Sequence, residues 1–198
     1  MKYDIVITGL GGQGVLTIGN LIAEAALQND IAGFYYPLKG MAQRGGFVKV
    51  QVRLGRENPG PYIPLKGADL VIAMERSEAL KAIPYIKPGK EFLIYNQPWV
   101  PTAVLLGKES YPTLDHVHEE IIKADGKMIC INPEDLPVYG DHPVPPNIFI
   151  LGSIMGNTDM AEIMDPSSML LVIKDRWKKE FNRNAFAFQS GMEANLKK

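Results

Sequence analysis

The string Gly9-Leu10-Gly11-Gly12-Gln13-Gly14 follows a short β-branched run, Ile5-Val6-Ile7-Thr8, and no other feature narrows the fold as far. After it, Val15, Ile18, Leu21, Ile22, Ala25 and Ala26 recur at helical spacing to about Gln28, where Asn29-Asp30 forms a stop. Strand, glycine turn and helix in that order open a Rossmann-like unit, with a first strand buried on both faces. The glycines let the backbone turn tightly and approach a ligand, while free N–H groups and the helix dipole favour an anion. A turn needed only for close packing of helix on strand satisfies the same string, so the motif alone leaves both readings open.

Beyond this unit the chain keeps alternating. Strands are expected at Phe34 to Leu38, Phe47 to Leu54, Asp69 to Met74, Glu91 to Tyr95 and Lys127 to Asn132. Helices are expected at Ser77 to Ile83, closed by Pro84 and Pro88-Gly89, at His116 to Ala124 and at Asn147 to about Met155. A last helix starts near Pro166-Ser167, with Leu170, Ile173, Trp177 and Phe181 on one face and Lys174, Asp175, Lys178 and Lys179 on the other. Segments 98–101 and 137–146 are proline-rich and read as surface loops. This order predicts an α/β chain in three layers, α/β/α, around a Rossmann-like parallel or mixed sheet. One domain is expected over residues 1–181, followed by a tail, 182–198, that has Phe186 and Phe188 but no apolar stripe of its own and is placed to dock on another surface.

Charge and composition exclude several classes. With 21 Lys plus Arg against 22 Asp plus Glu, no net field draws the chain to nucleic acid or to an anionic membrane. No apolar run approaches the roughly 18 to 20 residues of a membrane span, and the N-terminus enters a strand directly, which predicts a cytoplasmic protein. The single cysteine, Cys130, lies in the apolar run Met128-Ile129-Cys130-Ile131 and reads as a strand thiol. It cannot hold an iron–sulfur cluster alone, because such clusters take about four thiolates. His116 and His118 face opposite sides of a helix and His142 is remote, so no metal set is formed. Neither G-x-S-x-G, a Walker A string nor H-E-x-x-H occurs.

Two constellations remain. A dinucleotide site over Gly9, Gly11, Gly12, Gln13 and Gly14 also requires an acid near the end of the second strand to bond the ribose. Here the chain has Tyr36-Pro37-Leu38-Lys39, which disfavours NAD and leaves NADP to Lys39. The second constellation, Lys39-Gly40-Met41-Ala42-Gln43-Arg44-Gly45-Gly46, is a loop with one guanidinium, one amide and several unhindered backbone points. It can present Arg44 to a carboxylate, a phosphate or a partner surface, or be a glycine-rich turn with a solvated arginine. An NADP-binding reductase and a non-catalytic module sensing an anionic metabolite both accommodate these residues.

Taken together, Gly11-Gly12-Gln13-Gly14 and Gly40-Met41-Ala42-Gln43-Arg44-Gly45-Gly46 resemble the gamma-type domain of pyruvate and other 2-oxoacid:ferredoxin oxidoreductases. The second string is most similar to the small (beta) subunits of the indolepyruvate branch. The likeness continues through Asp69 to Met74, Glu78-Ala79-Leu80, Pro84 to Gly89 and Asn147 to Gly152. Lys39 stands where a histidine is common and Phe47 where a serine is common, which bears on the substrate. The resemblance implies a domain that packs on a large subunit carrying thiamine diphosphate and iron–sulfur clusters. In such complexes a 2-oxoacid is decarboxylated, coenzyme A is the co-substrate and ferredoxin the acceptor. No cofactor is then held by this chain alone, and no catalytic residue is assigned to it. Gly9 to Gly14 are expected to meet an anion or a coenzyme A phosphate. Met41, Gln43, Arg44, Gly45 and Gly46 are expected at an active-site or partner junction.

Overall fold

The computed structural model describes residues 1–40, 45–100, 102–108 and 110–196. Met41, Ala42, Gln43 and Arg44 of the second constellation lie outside the described residues. Strand β1 (Tyr3–Leu10) leads through the glycine turn into helix α1 (Val15–Leu27), and β2 (Gly33–Lys39) and β3 (Phe47–Leu54) form a hairpin. Then come β4 (Ala68–Ala73), α2 (Arg76–Ala82), β5 (Ile86–Tyr95), α3 (Thr102–Leu105), α4 (Leu114–Lys123) and β6 (Lys127–Ile131). A small hairpin, β7 (Val138–Tyr139) and β8 (His142–Pro143), precedes α5 (Pro146–Asn157), α6 (Met160–Ile163), α7 (Pro166–Arg176) and α8 (Phe181–Glu193). Among the described residues, no helix is long and apolar enough to cross a membrane.

Six strands make one mixed sheet in the order β2-β3-β1-β4-β5-β6. β1, β4, β5 and β6 are parallel, while β3 runs antiparallel between β1 and β2. Every residue of β1 and β4 is buried, as central strands covered on both faces require. On one face Ile5, Ile7, Val50, Val52, Leu70 and Ile72 pack against α1, α5, α7 and α8. On the other, Val6, Val71, Ala73, Phe92 and Ile94 pack against α2 and α4. The three layers and the mixed sheet match the expected fold class.

Four local features go beyond or against the sequence. Polar and apolar residues alternate along β3, yet at one end its polar residues are not solvated: Gln51 and Arg53 are buried. Arg53 donates to both oxygens of Asp4 and to the carbonyls of Gly60 and Tyr62, so the polar residues pair with each other and with the loop above them. Pro88-Gly89 does not end a helix but lies inside β5, where the register to β4 jumps from Ala68↔Ile86 to Leu70↔Glu91 and the irregularity absorbs the extra residues. The helix expected to run through Trp177 to Phe181 breaks: α7 stops at Arg176, Trp177 leaves helical geometry, and α8 begins at Phe181. Both aromatics still pack on one core, which is why the helical spacing persists across the break.

The fourth feature corrects the reading of the tail. Residues from Asn182 onward form most of α8, which buries Ala187 and Phe188 against this chain's own α5. A Cβ on Gly152 would overlap the Phe188 carbonyl, one on Gly156 the Met192 carbonyl and one on Gly191 the Phe149 carbonyl. The helices thus meet backbone to backbone, and a broad apolar stripe is not needed to hold them.

Candidate functional site

The glycine turn sits at the carboxyl end of β1, and each of its residues has a different task. Gly9 is still strand; a Cβ there would come within 2.8 Å of Met74 Cβ and Val15 Cγ2, so it is a packing glycine. Gly12 has φ 106 and Gly14, the N-cap of α1, has φ 79 in the left-handed region. A side chain on Gly14 would also meet Asn147 Nδ2 at 2.9 Å. Gln13 turns inward: its Oε1 accepts the Leu10 N–H at 2.8 Å and its Nε2 donates to the Met74 carbonyl at 2.9 Å. That side chain therefore clamps the ends of β1 and β4 together and leaves the backbone of the turn to face outward.

The two sequence constellations meet. Because Leu10 pairs with Phe47 at the end of the β1–β3 ladder, the next residues on each strand fall opposite one another. The Gly11 N–H donates to the Gly46 carbonyl at 2.8 Å and the Gly45 N–H to the Gly11 carbonyl at 3.3 Å. Gly45 has φ 67. The start of β3 is thereby anchored on the glycine turn. The same ladder separates β2 from the turn. Lys39 is level with Val48, and Val48 with Gly9, so the end of β2 is two strand spacings, about 10 Å, from β1. A ribose-binding group at that strand end would be displaced sideways by the whole width of β3.

Beside the turn is a cavity of about 280 Å³, lined by Gly12, Gln13, Gly14, Met74, Tyr95, Gln97, Trp99, Pro146 and Asn147. It opens at the carboxyl ends of β1, β4 and β5, where ligands bind in α/β sheets of this kind. Two helices begin there, α1 after Gly14 and α5 at Pro146, and neither has a side-chain cap or an acidic residue in its first turn. α1 leaves the N–H groups of its first turn without a helical partner, whereas α5, which opens on Pro145 and Pro146, leaves only that of Asn147, and each helix end contributes about half a positive charge. The field of the cavity thus comes from backbone, since no Lys or Arg is among the lining residues. Tyr95 is buried, its phenol held above its ordinary value by burial and secondarily by Glu134, and its hydroxyl has no hydrogen-bond partner among the described residues. It is a neutral donor at the cavity.

The outer wall is braced from the turn between β4 and α2. Glu75 is fully buried; it caps α2 by accepting the Glu78 N–H at 3.0 Å and accepts the Tyr111 hydroxyl at 2.6 Å. Burial first, then the bond to Glu75 and its charge, push the Tyr111 phenol up to about 12, with the Trp99 N–H and Arg76 opposing. Tyr111 therefore stays protonated and donates to Glu75 while accepting the Trp99 N–H at 3.4 Å. Next to Glu75, Arg76 donates to Asn96 Oδ1 at 2.6 Å and lies over the Tyr111 ring. Two adjacent residues thus hold both ends of the segment 96–99. Glu78 lies under this corner with Oε2 buried and unpartnered; burial raises its carboxyl above the usual range, Lys81 opposing and Glu75 adding.

Of the expected site residues, the structure joins Gly11, Gly45 and Gly46 at the junction and places Gly12, Gln13 and Gly14 on the cavity. Tyr95, Gln97, Trp99, Asn147 and the Glu75–Tyr111 brace were not anticipated. Trp99 lay in a stretch read as a proline-rich loop, although its place directly after β5 was the available signal. Asn147 was likewise marked by Pro145-Pro146, since proline favours the first helical turn. Among the described residues no cluster of His, Cys, Asp and Glu suited to a metal ion is present.

The model of the family described as pyruvate ferredoxin/flavodoxin oxidoreductase matches residues 4–194. The chain is similar to the indolepyruvate oxidoreductase subunit IorB of Archaeoglobus fulgidus, 33% identical over 160 residues, covering 81% of this chain and 79% of the relative. The subunit of the same name from Methanothermobacter thermautotrophicus is 30% identical over 195 residues, covering 98% of each chain. Among solved structures, the pyruvate oxidoreductase subunit PORC of Thermotoga maritima shares the fold with a TM-score of 0.72 at 18% identity, covering 99% of this chain and 97% of that one. A family match over nearly the whole chain, with relatives at 30% identity or more aligned over most of their length, settles membership: the chain belongs to the pyruvate ferredoxin/flavodoxin oxidoreductase family.

Proposed function

We propose that this chain is the small subunit of a 2-oxoacid:ferredoxin oxidoreductase that acts on indolepyruvate or another arylpyruvate in the cytoplasm. Its partner is a large subunit with thiamine diphosphate and iron–sulfur clusters, and ferredoxin accepts the electrons. The observation that carries the reading is the end-to-end match to this family in a chain with one cysteine, so the clusters fall to the partner. Thiamine diphosphate on that partner supplies the carbanion-stabilising group. This chain contributes the glycine turn, the cavity and the loop containing Arg44.

The cavity fits one ionised oxygen of a coenzyme A phosphate. Its two helix N-termini together offer about one positive charge. Coenzyme A carries more negative charge than that, so Arg44 or the large subunit meets the remainder. The turn at Gly12 to Gly14 brings backbone N–H groups to the anion, and Gly45 and Gly46, which flank the Arg44 loop in sequence, are bonded to Gly11 beside that turn.

The test is reconstitution with the large subunit, read as oxoacid- and coenzyme A-dependent ferredoxin reduction. Neither subunit alone should turn over, and Arg44→Ala should cut activity or assembly by an amount equivalent to about 2 to 5 kcal/mol. Its melting temperature in isolation should stay close to that of the parent chain. Full activity of Arg44→Ala in a normal complex would remove the loop from the mechanism. Low-micromolar NAD or NADP binding by the isolated chain would favour a reductase instead.

A further inference from the structure

We infer that Trp99 is the specificity wall of the cavity, stacking on the flat base of a nucleotide whose phosphate meets the α1 N-terminus, and that Tyr111 is its positioning residue. The inference rests on the reading that the cavity takes an anionic co-substrate, and it adds which part of that molecule the chain recognises.

Trp99 is 41% exposed at the mouth of the cavity, and a Cβ placed on Gly12 would lie 3.8 Å from its Cη2. The indole therefore overhangs the glycine turn and leaves ring surface open to solvent. A ring so exposed does little for the core, yet its backbone is held by the chain Glu75–Tyr111–Trp99, which ends on a fully buried carboxylate. Burying a charge is costly unless it is well paired. Spending one of its bonds on a loop makes sense when the position of that loop matters. Gln97 and Asn147, each with a side-chain amide, and Tyr95, with its hydroxyl, line the same cavity as the ring. They offer donors and acceptors for the edge of a heterocycle. Two uncapped helix N-termini complete the site on its floor. A cavity of about 280 Å³ is at the small end of ligand sites, which suits one end of a nucleotide and not a dinucleotide. Stacking of a base on an aromatic face tolerates any base, and the amide edges supply the selection.

The chain has two tryptophans, Trp99 and Trp177, and Trp177 lies at the end of α7, away from the cavity. In the full-length Trp177→Phe chain, Trp99 emission is the readout. ADP and coenzyme A should quench it, and pyrophosphate, which lacks a base, should not. Trp99→Leu, made in the parent chain and titrated calorimetrically, should weaken ADP by about tenfold or more and leave pyrophosphate unchanged. Tyr111→Phe should shift Trp99 emission to the red and weaken ADP but not pyrophosphate, read well below a melting temperature that falls because the buried Glu75 carboxylate loses a donor. Calorimetry with both tryptophans intact replaces fluorescence if Trp177→Phe melts early. The inference is overturned if ADP quenches no more than pyrophosphate, or if Tyr111→Phe leaves both the emission and ADP affinity unaltered. The reconstituted complex separates the two claims. ADP binding that depends on Trp99, alongside a coenzyme A KM that does not, supports the base site and counts against the coenzyme A reading. Ferredoxin reduction that needs coenzyme A but ignores Trp99→Leu, with no ADP binding, does the reverse.

Discussion

At the scale of single residues, Gln13 and Glu78 show how polar groups beneath the site are settled. Gln13 is used for its two different ends, an acceptor toward Leu10 and a donor toward Met74. Gln13→Glu keeps the acceptor and turns a second oxygen on the Met74 carbonyl. Denaturant unfolding should show a loss of about 2 kcal/mol, and a change under about 0.5 kcal/mol would mean that the clamp does not hold the strands. Glu78 makes the opposite case. Its carboxyl is raised by burial, so the folded chain binds the proton more tightly than the unfolded one. Stability is then fully present below the unfolded carboxylate range and is lost as pH rises through the raised value. Glu78→Gln removes that loss; its bond to the exposed Lys81 is worth little. The variant should gain on the parent in melting temperature between pH 4 and pH 7, and a gain that shrinks with pH would contradict the assignment. The glycine string was legible as spacing, whereas the task of Gln13 was not, because its second partner is 61 residues away.

The elements of the chain were legible where burial follows a period and illegible where it follows a gap. α1 and α5 announced themselves by apolar residues, and both end up buried over most of their length. α8 did not, because its interface with α5 is built from residues that lack side chains: Gly152, Gly156 and Gly191. Periodicity detects what a helix presents, and here the contact depends on what it omits. Gly152→Ala should cost about 3 kcal/mol or more, since the new methyl meets backbone that cannot turn away. Gly60→Ala, with open space around it, should stay within about 0.5 kcal/mol. Thermal melting of the pair checks this, and similar melting temperatures would show that the two helices slide apart at little cost.

On the scale of the whole molecule, the alternation of elements predicted three layers, but no local pattern encoded the strand order. Whether β3 lies beside β1 or beyond β2 depends on pairings between residues far apart in the chain, from Leu10↔Phe47 to Tyr3↔Leu54. That order joins the two glycine-rich strings, and it also moves β2 out of reach of the turn. The fold has a temporal consequence as well. Asn147 stands at the cavity because α5 is seated, and α5 is seated against α8, whose Gly191 follows about 44 residues later. At roughly 5 to 20 residues per second, a ribosome needs about two to nine seconds to cover that distance. During this interval the glycine turn and all six strands of the main sheet have been made while one wall of the cavity still waits for its support. A chain without α8 would therefore expose the apolar faces of α5, and the nascent subunit becomes competent for its ligand only once α8 has been made.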